Sequence, residues 1–257
     1  MKIVVIGDII LDGYIDGEVN RINPEAPVPV LDIKEIRYEL GGASNVANNI
    51  RQWTEDVFLI GYGDAQIRRM LKARKIKHKL FRAKTTIKIR VGNPQIVRLD
   101  LDNEIKNDEK EIAKLVEKLN PEIVVISDYA KGSITQKLFN KLKKYKLIVD
   151  PKPKNGIDYS GAYLIIPNEK ESKEVKGQAK NVLITEGANG MTLNYKNHFP
   201  TQAKEVYDVI GAGDTVVASI AYKLSLGEEL IDSVQFANKM AGLVVSRKGT
   251  SLPDKII

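Results

Sequence analysis

Cysteine is absent from the 257 residues, which excludes disulfides, thiolate metal sites and cysteine nucleophiles. Histidine occurs only as His78 and His198. The two lie far apart along the chain, without carboxylate companions, so neither suggests a metal site or a catalytic pair. Aromatic residues make up 6% with a single tryptophan, and Trp53 and the tyrosines read as packing. Long apolar runs are missing too. The N-terminal run is too short for a signal or membrane segment, so a cytoplasmic location and no membrane partner are expected. Neither Gly-Lys-Ser nor Gly-Lys-Thr occurs, so there is no Walker A loop, and the glycine clusters fail the full dinucleotide fingerprint. Tandem repeats and low-complexity linkers are likewise absent.

What is present suits one α/β domain: hydrophobic residues make up 43%, ample for a core. The net charge is +7. Lysines are mixed with acids over amphipathic stretches such as 109–118, which reads as a solvated charged surface with some capacity for small phosphates. A nucleic-acid partner is not expected, because it would need basic residues gathered on one face.

Short apolar runs at 2–7, 57–60, 123–127, 147–150, 163–166 and 182–185 predict buried strands. Helical spacing predicts helices from Ala43 onward and over 65–74, 108–119 and 232–247. This alternation predicts a three-layer α/β domain over 1–257 with a mainly parallel sheet. Ligands bind such sheets at the C-terminal strand ends, where Asp8, Asp128 and Asp150 stand. Asp8 is therefore a candidate for gripping ligand hydroxyls, or else a turn-forming acid. The three prolines within 21–30 predict a rigid loop entering an edge strand over 28–36. Residues 85–91 and 95–100 read as a hairpin. Lys88 and Arg90 share one of its faces, as do Arg98 and Asp100. Two cations on one face can clamp a phosphate, and a solvated polar face would show the same pattern.

The most informative stretch is Gly211-Ala212-Gly213-Asp214, followed by Val216, Val217, Ile220, Ala221 and Leu224 at helical spacing. Asp214 thus falls in the first turn of a buried helix. Free N–H groups and the helix dipole favour an anion there. A carboxylate beside bound phosphate makes chemical sense as a base that deprotonates an attacking hydroxyl while the N–H groups of 211–213 stabilise the transferred group. A glycine-rich turn with an acid near a helix start would look the same. Gly41, Gly42 and Asn45 stand at another helix start and could bind hydroxyls or simply form the turn. Asn168 and Glu171 have the spacing of a helix cap and its third residue.

Together these segments resemble the PfkB (ribokinase-like) sugar kinases. The run 200–216, the proline segment 21–30 and the hairpin strands are similar to those of the D-glycero-β-D-manno-heptose 7-phosphate kinases within that family. The resemblance covers nearly the whole chain and implies a ribokinase-like fold with a β lid over about 11–39 and 84–100. It implies ATP- and Mg²⁺-dependent phosphorylation of the anomeric hydroxyl of a heptose 7-phosphate, with Asp214 as base and Gly211, Ala212 and Gly213 as anion hole. Sugar contacts fall to Asp8, Asp12, Gly41, Gly42, Asn45, Lys88, Arg90, Arg98, Asp128 and Lys131. Nucleotide contacts fall to Asn168, Thr185, Glu186, Gly187, Gly213, Asn238 and Gly249, and Asn168 and Glu171 would hold Mg²⁺ through water. A homodimer through the lid is the expected partner state. Three departures stand out: Ile210 replaces threonine before the Gly-Ala-Gly-Asp run, Gly13 replaces arginine, and the helices after Gly63 and Glu171 are short. A PfkB kinase for another sugar, or a non-catalytic sugar- or nucleotide-binding protein, remain the alternative readings.

Overall fold

A computed structural model describes residues 2–92, 94–103, 105, 107–203 and 209–246. In chain order the elements are β1 (Ile3–Gly7), β2 (Ile9–Ile22), β3 (Pro29–Gly42), α1 (Ala43–Arg51), β4 (Val57–Gly63), α2 (Ala65–Ala73), β5 (Lys77–Arg82), β6 (Thr86–Val91) and β7 (Val97–Leu101). There follow α3 (Glu109–Leu119), β8 (Ile123–Ser127), α4 (Gln136–Leu142), β9 (Lys146–Asp150), β10 (Leu164–Ile165), β11 (Asn181–Thr185), β12 (Met191–Leu193), β13 (Asn197–Phe199), α5 (Ala212–Ser225) and α6 (Leu230–Val245).

Nine strands form the main sheet in the order β13-β12-β11-β10-β9-β8-β1-β4-β5. Pairing is parallel from β11 to β5, and only β12 and β13 run antiparallel. β1 shows why the sheet is covered on both faces. Ile3 and Val5 join the cluster that holds Val46 and Ile50 of α1 and Val216 and Ile220 of α5. Val4 and Ile6 join the opposite cluster, with Ile112 of α3 and Phe139 of α4. A strand buried on both sides is apolar throughout, and its period of two distributes the side chains between two helical layers. The three-layer α/β expectation therefore holds.

Several predicted boundaries shift. The proline loop leads into β3, which runs on to Gly42 and enters α1 directly, well past the 28–36 edge strand. The short helix after Glu171 is a single 3₁₀ turn, Glu171–Lys173. The cations are less evenly spread than residues 109–118 suggest. Between Asp64 and Asp100 the sequence has twelve lysines and arginines and no acid. Arg68, Arg69 and Lys72 of α2, with Lys77, Lys79 and Arg82 of β5, are exposed along one border of the main sheet. Charged side chains on an edge strand oppose pairing with a second chain.

A second sheet, ordered β3-β2-β6-β7, stands beside the first as the lid. β2 and β3 pair antiparallel along their lengths, with irregularities at Asp16/Gly17 and Val19/Arg21. β2 pairs parallel with β6, and β6 pairs antiparallel with β7. Register separates the lid into two chemistries. One face carries Ile15, Ile36, Tyr38, Ile89 and Leu99, and the other carries Asp12, Arg37, Lys88, Arg90, Arg98 and Asp100.

The ends of β1, β8 and β9 are aligned, with Gly7 opposite Ser127 and Ser127 opposite Asp150. A Cβ built on Gly7 would collide with the Ser127 carbonyl oxygen and meet the Ala43 Cβ at 3.1 Å. The obstacle is ladder backbone, which cannot swing aside. We predict that Gly7→Ala lowers unfolding stability by about 3 kcal/mol, the upper end of overpacking costs, measured by urea denaturation.

Candidate active site

Asp214 stands in the first turn of α5, whose N-cap, Gly211, has φ +79° and is followed by no side-chain cap. Glycine is suited to this left-handed position. The helix start leaves N–H groups without intrahelical acceptors, although the Ala212 N–H reaches the Val209 carbonyl at 3.3 Å. Gly213 is exposed, with nothing within 4 Å of where a Cβ would lie.

The Asp214 carboxylate is buried, with a relative exposure of 6%. It accepts hydrogen bonds at Oδ2 from Asn45 Nδ2, 2.7 Å away, and at Oδ1 from the Tyr129 hydroxyl, 3.0 Å away. Burial pushes its pKa up to about 6, opposed by these two donors and by the charge of Lys88, and reinforced by Asp12. A carboxylate with this value is ionised at neutral pH and still basic enough to take a proton. Asn45 is itself oriented from within α1, where Asn49 Nδ2 donates to its backbone oxygen at 2.9 Å and to its Oδ1 at 3.2 Å. This leaves the Asn45 Nδ2 free for Asp214.

The polar face of the lid comes next to Asp214. Asp12 Oδ1 accepts from Arg90 Nη1 at 2.9 Å. Gly41 lies so close that a Cβ there would collide with Asp12 Oδ2. Lys88 Nζ lies 4.9 Å from the centroid of the Tyr129 ring, and burial holds its pKa below the usual lysine value. Gly13 belongs to the opposite, apolar face, where a Cβ would meet Ile89 at 3.1 Å and Tyr38 at 3.2 Å. Its departure from the family pattern therefore does not alter the face that carries Asp12 and Lys88.

On the other side of Asp214 lies a pocket lined by Asp128, Tyr129, Asp150, Lys152, Asn168, Glu171, Thr185 and Gly213. Glu171 Oε1 pairs with Lys152 Nζ at 2.6 Å. Asn168 and Glu171 also cap one another, since Asn168 Oδ1 accepts the Glu171 N–H at 3.0 Å and Glu171 Oε2 accepts the Asn168 N–H at 3.1 Å. Asp150 is half-buried, and its pKa is raised well above the ordinary carboxylate value, chiefly by burial and then by the charges of Asp214, Glu171 and Asp128. Three acids and one lysine, Lys152, at one pocket are a charge excess that a hard cation with oxygen ligands would relieve. The donor set therefore fits Mg²⁺, although among the described residues no cluster of three or more metal-type ligands is preassembled.

Not every expected residue reaches a cleft. Asp8 has both carboxylate oxygens engaged by backbone: Oδ2 accepts the N–H groups of Tyr129 (2.8 Å) and Lys131 (3.0 Å), and Oδ1 that of Ser133 (3.0 Å). It is 1% exposed and anchors a loop instead of gripping a ligand. Gly42, at φ +55°, joins the same construction, since a Cβ would collide with the Asp8 carbonyl oxygen. Asp128 accepts from the Tyr159 hydroxyl at 2.6 Å, from the Ala130 N–H at 2.7 Å and from Asn155, and burial raises its pKa to about 6. Lys131 pairs with Asp102, and Arg98 with Asp100. Glu186 accepts from Thr192 at 3.0 Å and lies 3.4 Å from His198, so that histidine does have a carboxylate beside it. Gly187, at φ +58°, opens to free space. Asn238 is buried and donates to the Pro200 carbonyl at 2.7 Å, beside a second pocket that includes His198 and Gln235. Gly249 and residues 205–208 lie outside the described residues. Tyr129 and Lys152 join the site without having been singled out, and Asp150 joins it after being marked only as a strand-end acid. The strand-end rule that selected Asp8 applies equally to Asp150, and Tyr129 had only its place between two flagged residues.

The profile of the pfkB family carbohydrate kinases matches residues 1–256. The bifunctional protein HldE of Shewanella sediminis is 38% identical over 296 aligned positions, covering 99% of this chain and 62% of that protein. HldE of Caulobacter vibrioides is 35% identical, covering 97% of this chain and 61% of that protein. The chain thus spans about three fifths of the length of these curated relatives. The alignments have more positions than the chain has residues, in keeping with its shortened connections. Among solved structures, phosphofructokinase-2 from Escherichia coli in complex with potassium superposes with a TM-score of 0.77 at 19% identity, over 99% of this chain and 95% of that one. Ribokinase from Arabidopsis thaliana, complexed with ribose and ATP, gives 0.75 at 20% identity, over 99% and 96%. At such identities the likeness shows the fold, which is ribokinase-like. The match along almost every residue, on that fold, means that the chain belongs to the pfkB family of carbohydrate kinases.

Proposed function

We propose that this chain transfers the γ-phosphoryl group of ATP to the anomeric hydroxyl of D-glycero-β-D-manno-heptose 7-phosphate, giving the 1,7-bisphosphate. The observation that carries the reading is the place of Asp214, between a lid face with Lys88 and Arg90 and a pocket with Asp150, Lys152, Asn168 and Glu171. The similarity to HldE proteins, together with the segments that resemble the heptose 7-phosphate kinases, supports the heptose among sugar phosphates.

In this reading Asp12, Gly41 and Asn45 orient the sugar, and Lys88 and Arg90 attract its phosphate. Asp214 takes the proton from the anomeric oxygen as that oxygen attacks in line. The N–H groups of Gly211, Ala212 and Gly213 face the charge on the transferred group. Asn168 and Glu171 through water, with Asp150, would hold Mg²⁺, which when bound neutralises phosphate charge. Thr185, Glu186 and Gly187 would border the nucleotide, with Asn238 farther along. The short 3₁₀ turn after Glu171 and the loss of a hydroxyl at Ile210 reduce the framework on that side without touching the base.

The test is phosphate transfer from ATP with Mg²⁺ to heptose 7-phosphate, fructose phosphates, ribose and nucleosides, alongside Asp214→Asn. Selective turnover of heptose 7-phosphate, reduced at least about 10³-fold in the variant, is expected. Turnover of another sugar would discard the heptose, and full activity of Asp214→Asn would discard the base. The Asp214 value near 6 sets a pH dependence. Protonation removes the base, so kcat/KM should fall about tenfold per unit below pH 6 and stay level between 7 and 8.

The apolar lid face supports a homodimer. Ile36 and Leu99 are 53% and 52% exposed, and such a continuous patch is a docking surface when covered and a liability when bare. Sedimentation should show a dimer that Leu99→Glu converts to monomer; a wild-type monomer would discard this assembly.

A further inference from the structure

Tyr129 has no part in the reading above, yet it touches several parts of the site. Its hydroxyl donates to Asp214 Oδ1 at 3.0 Å. Its ring lies under Lys88 Nζ, at 4.9 Å from the centroid, and it lines the pocket that contains Gly213 and Asp150. Its backbone N–H is one of three that converge on Asp8. Those three come from alternate residues, Tyr129, Lys131 and Ser133, and the residues between them, Ala130 and Gly132, have φ of +55° and +101°. The left-handed conformation is costly for alanine. A strained turn held by a fully buried carboxylate is a structure that fixes what it presents, and what it presents at its first residue is the Tyr129 ring and hydroxyl.

We propose that Tyr129 is a positioning residue for Asp214, holding Oδ1 as Asn45 holds Oδ2, and that Asp8 acts on the base through Tyr129 by gripping the backbone of its loop. The proposal gives the kinase reading a second determinant of the base's orientation, and its importance for turnover rests on that reading. Two donors from different elements, α1 and the loop after β8, prevent the carboxylate from rotating, so that one lone pair stays turned toward an incoming hydroxyl. Burial, and then the neighbouring Asp214 charge, keep the phenol protonated, so it serves as donor throughout the working pH range. The charged or titratable groups around Asp214 are Asp12 from β2, Lys88 from β6, Tyr129 after β8 and Asp150 at the end of β9. Of these Tyr129 alone donates a hydrogen bond to the carboxylate.

Tyr129→Phe keeps the ring and removes the donor. The Asp214 side-chain carboxyl is followed by carbon-13 NMR, its signal assigned by loss in Asp214→Asn. We expect its titration to move up by about one unit in Tyr129→Phe, since a lost hydrogen bond to a charged group is worth about that much. In turnover, a shift from about 6 to about 7 makes the loss of kcat roughly threefold greater at pH 6.5 than at pH 8, while KM for the sugar phosphate stays within about twofold. Asp8→Asn should shift the titration the same way, and the double variant should match Tyr129→Phe alone. An unchanged carboxyl titration in Tyr129→Phe would overturn the proposal, whatever the sugar turns out to be. A shift in Tyr129→Phe to which Asp8→Asn adds independently would overturn the role given to Asp8. The NMR readout needs no substrate, so failure of the heptose assignment and failure of the positioning role give different results.

Discussion

A carboxylate kept out of water, with a hydrogen-bond donor on each oxygen, is the constraint around which the rest of this molecule is arranged. Burial alone would neutralise Asp214 at neutral pH. Asn45 and Tyr129 offset this, and the result is a value near 6, low enough for the charged form and high enough for proton transfer. Each donor needs its own support. Asn45 has Asn49 behind it on α1, and Tyr129 has Asp8 behind it across the sheet edge. This explains why α1, a helix of nine residues, buries Asn45 and Asn49 among its apolar side chains. Buried polar groups are tolerable when networked, and this network leads to Asp214.

The lid follows from the same arrangement. Its cationic face has to come close to Asp214, so Arg90 is paired with Asp12 and Lys88 is partly desolvated over Tyr129. A β sheet with one face given to charge places its alternate residues on the other side. Those residues are isoleucine, leucine and tyrosine, left bare in a single copy. The charged face and the exposed apolar face are thus two consequences of one period-two pattern.

Much of this was legible in the sequence, because it was local. Apolar runs and helical spacing gave the parallel sheet, and Gly-Ala-Gly-Asp before an apolar helix gave the position of Asp214. The part that stayed hidden is long-range. The hydrogen bonds to Asp214 span 169 and 85 residues, and no spacing rule reaches that far. Asp8 shows the other limit. An acid at a strand end is positioned for a ligand or for its own backbone, and the choice depended on Ala130 and Gly132 adopting positive φ. Asn168 and Glu171 were readable as a cap or as a magnesium shell, and the capping hydrogen bonds leave the pocket-facing role open to both. A short piece such as α4 lacked enough turns for a periodic signal.

The most direct test of the central claim is the structure of the complex with heptose 7-phosphate and a non-hydrolysable ATP analogue. The account predicts the anomeric hydroxyl within hydrogen-bond distance of an Asp214 carboxylate oxygen and the γ-phosphate at the start of α5, adjacent to that hydroxyl and in line with it. A sugar bound with its anomeric carbon turned away from Asp214, or a nucleotide whose γ-phosphate lies away from Gly213, would contradict it.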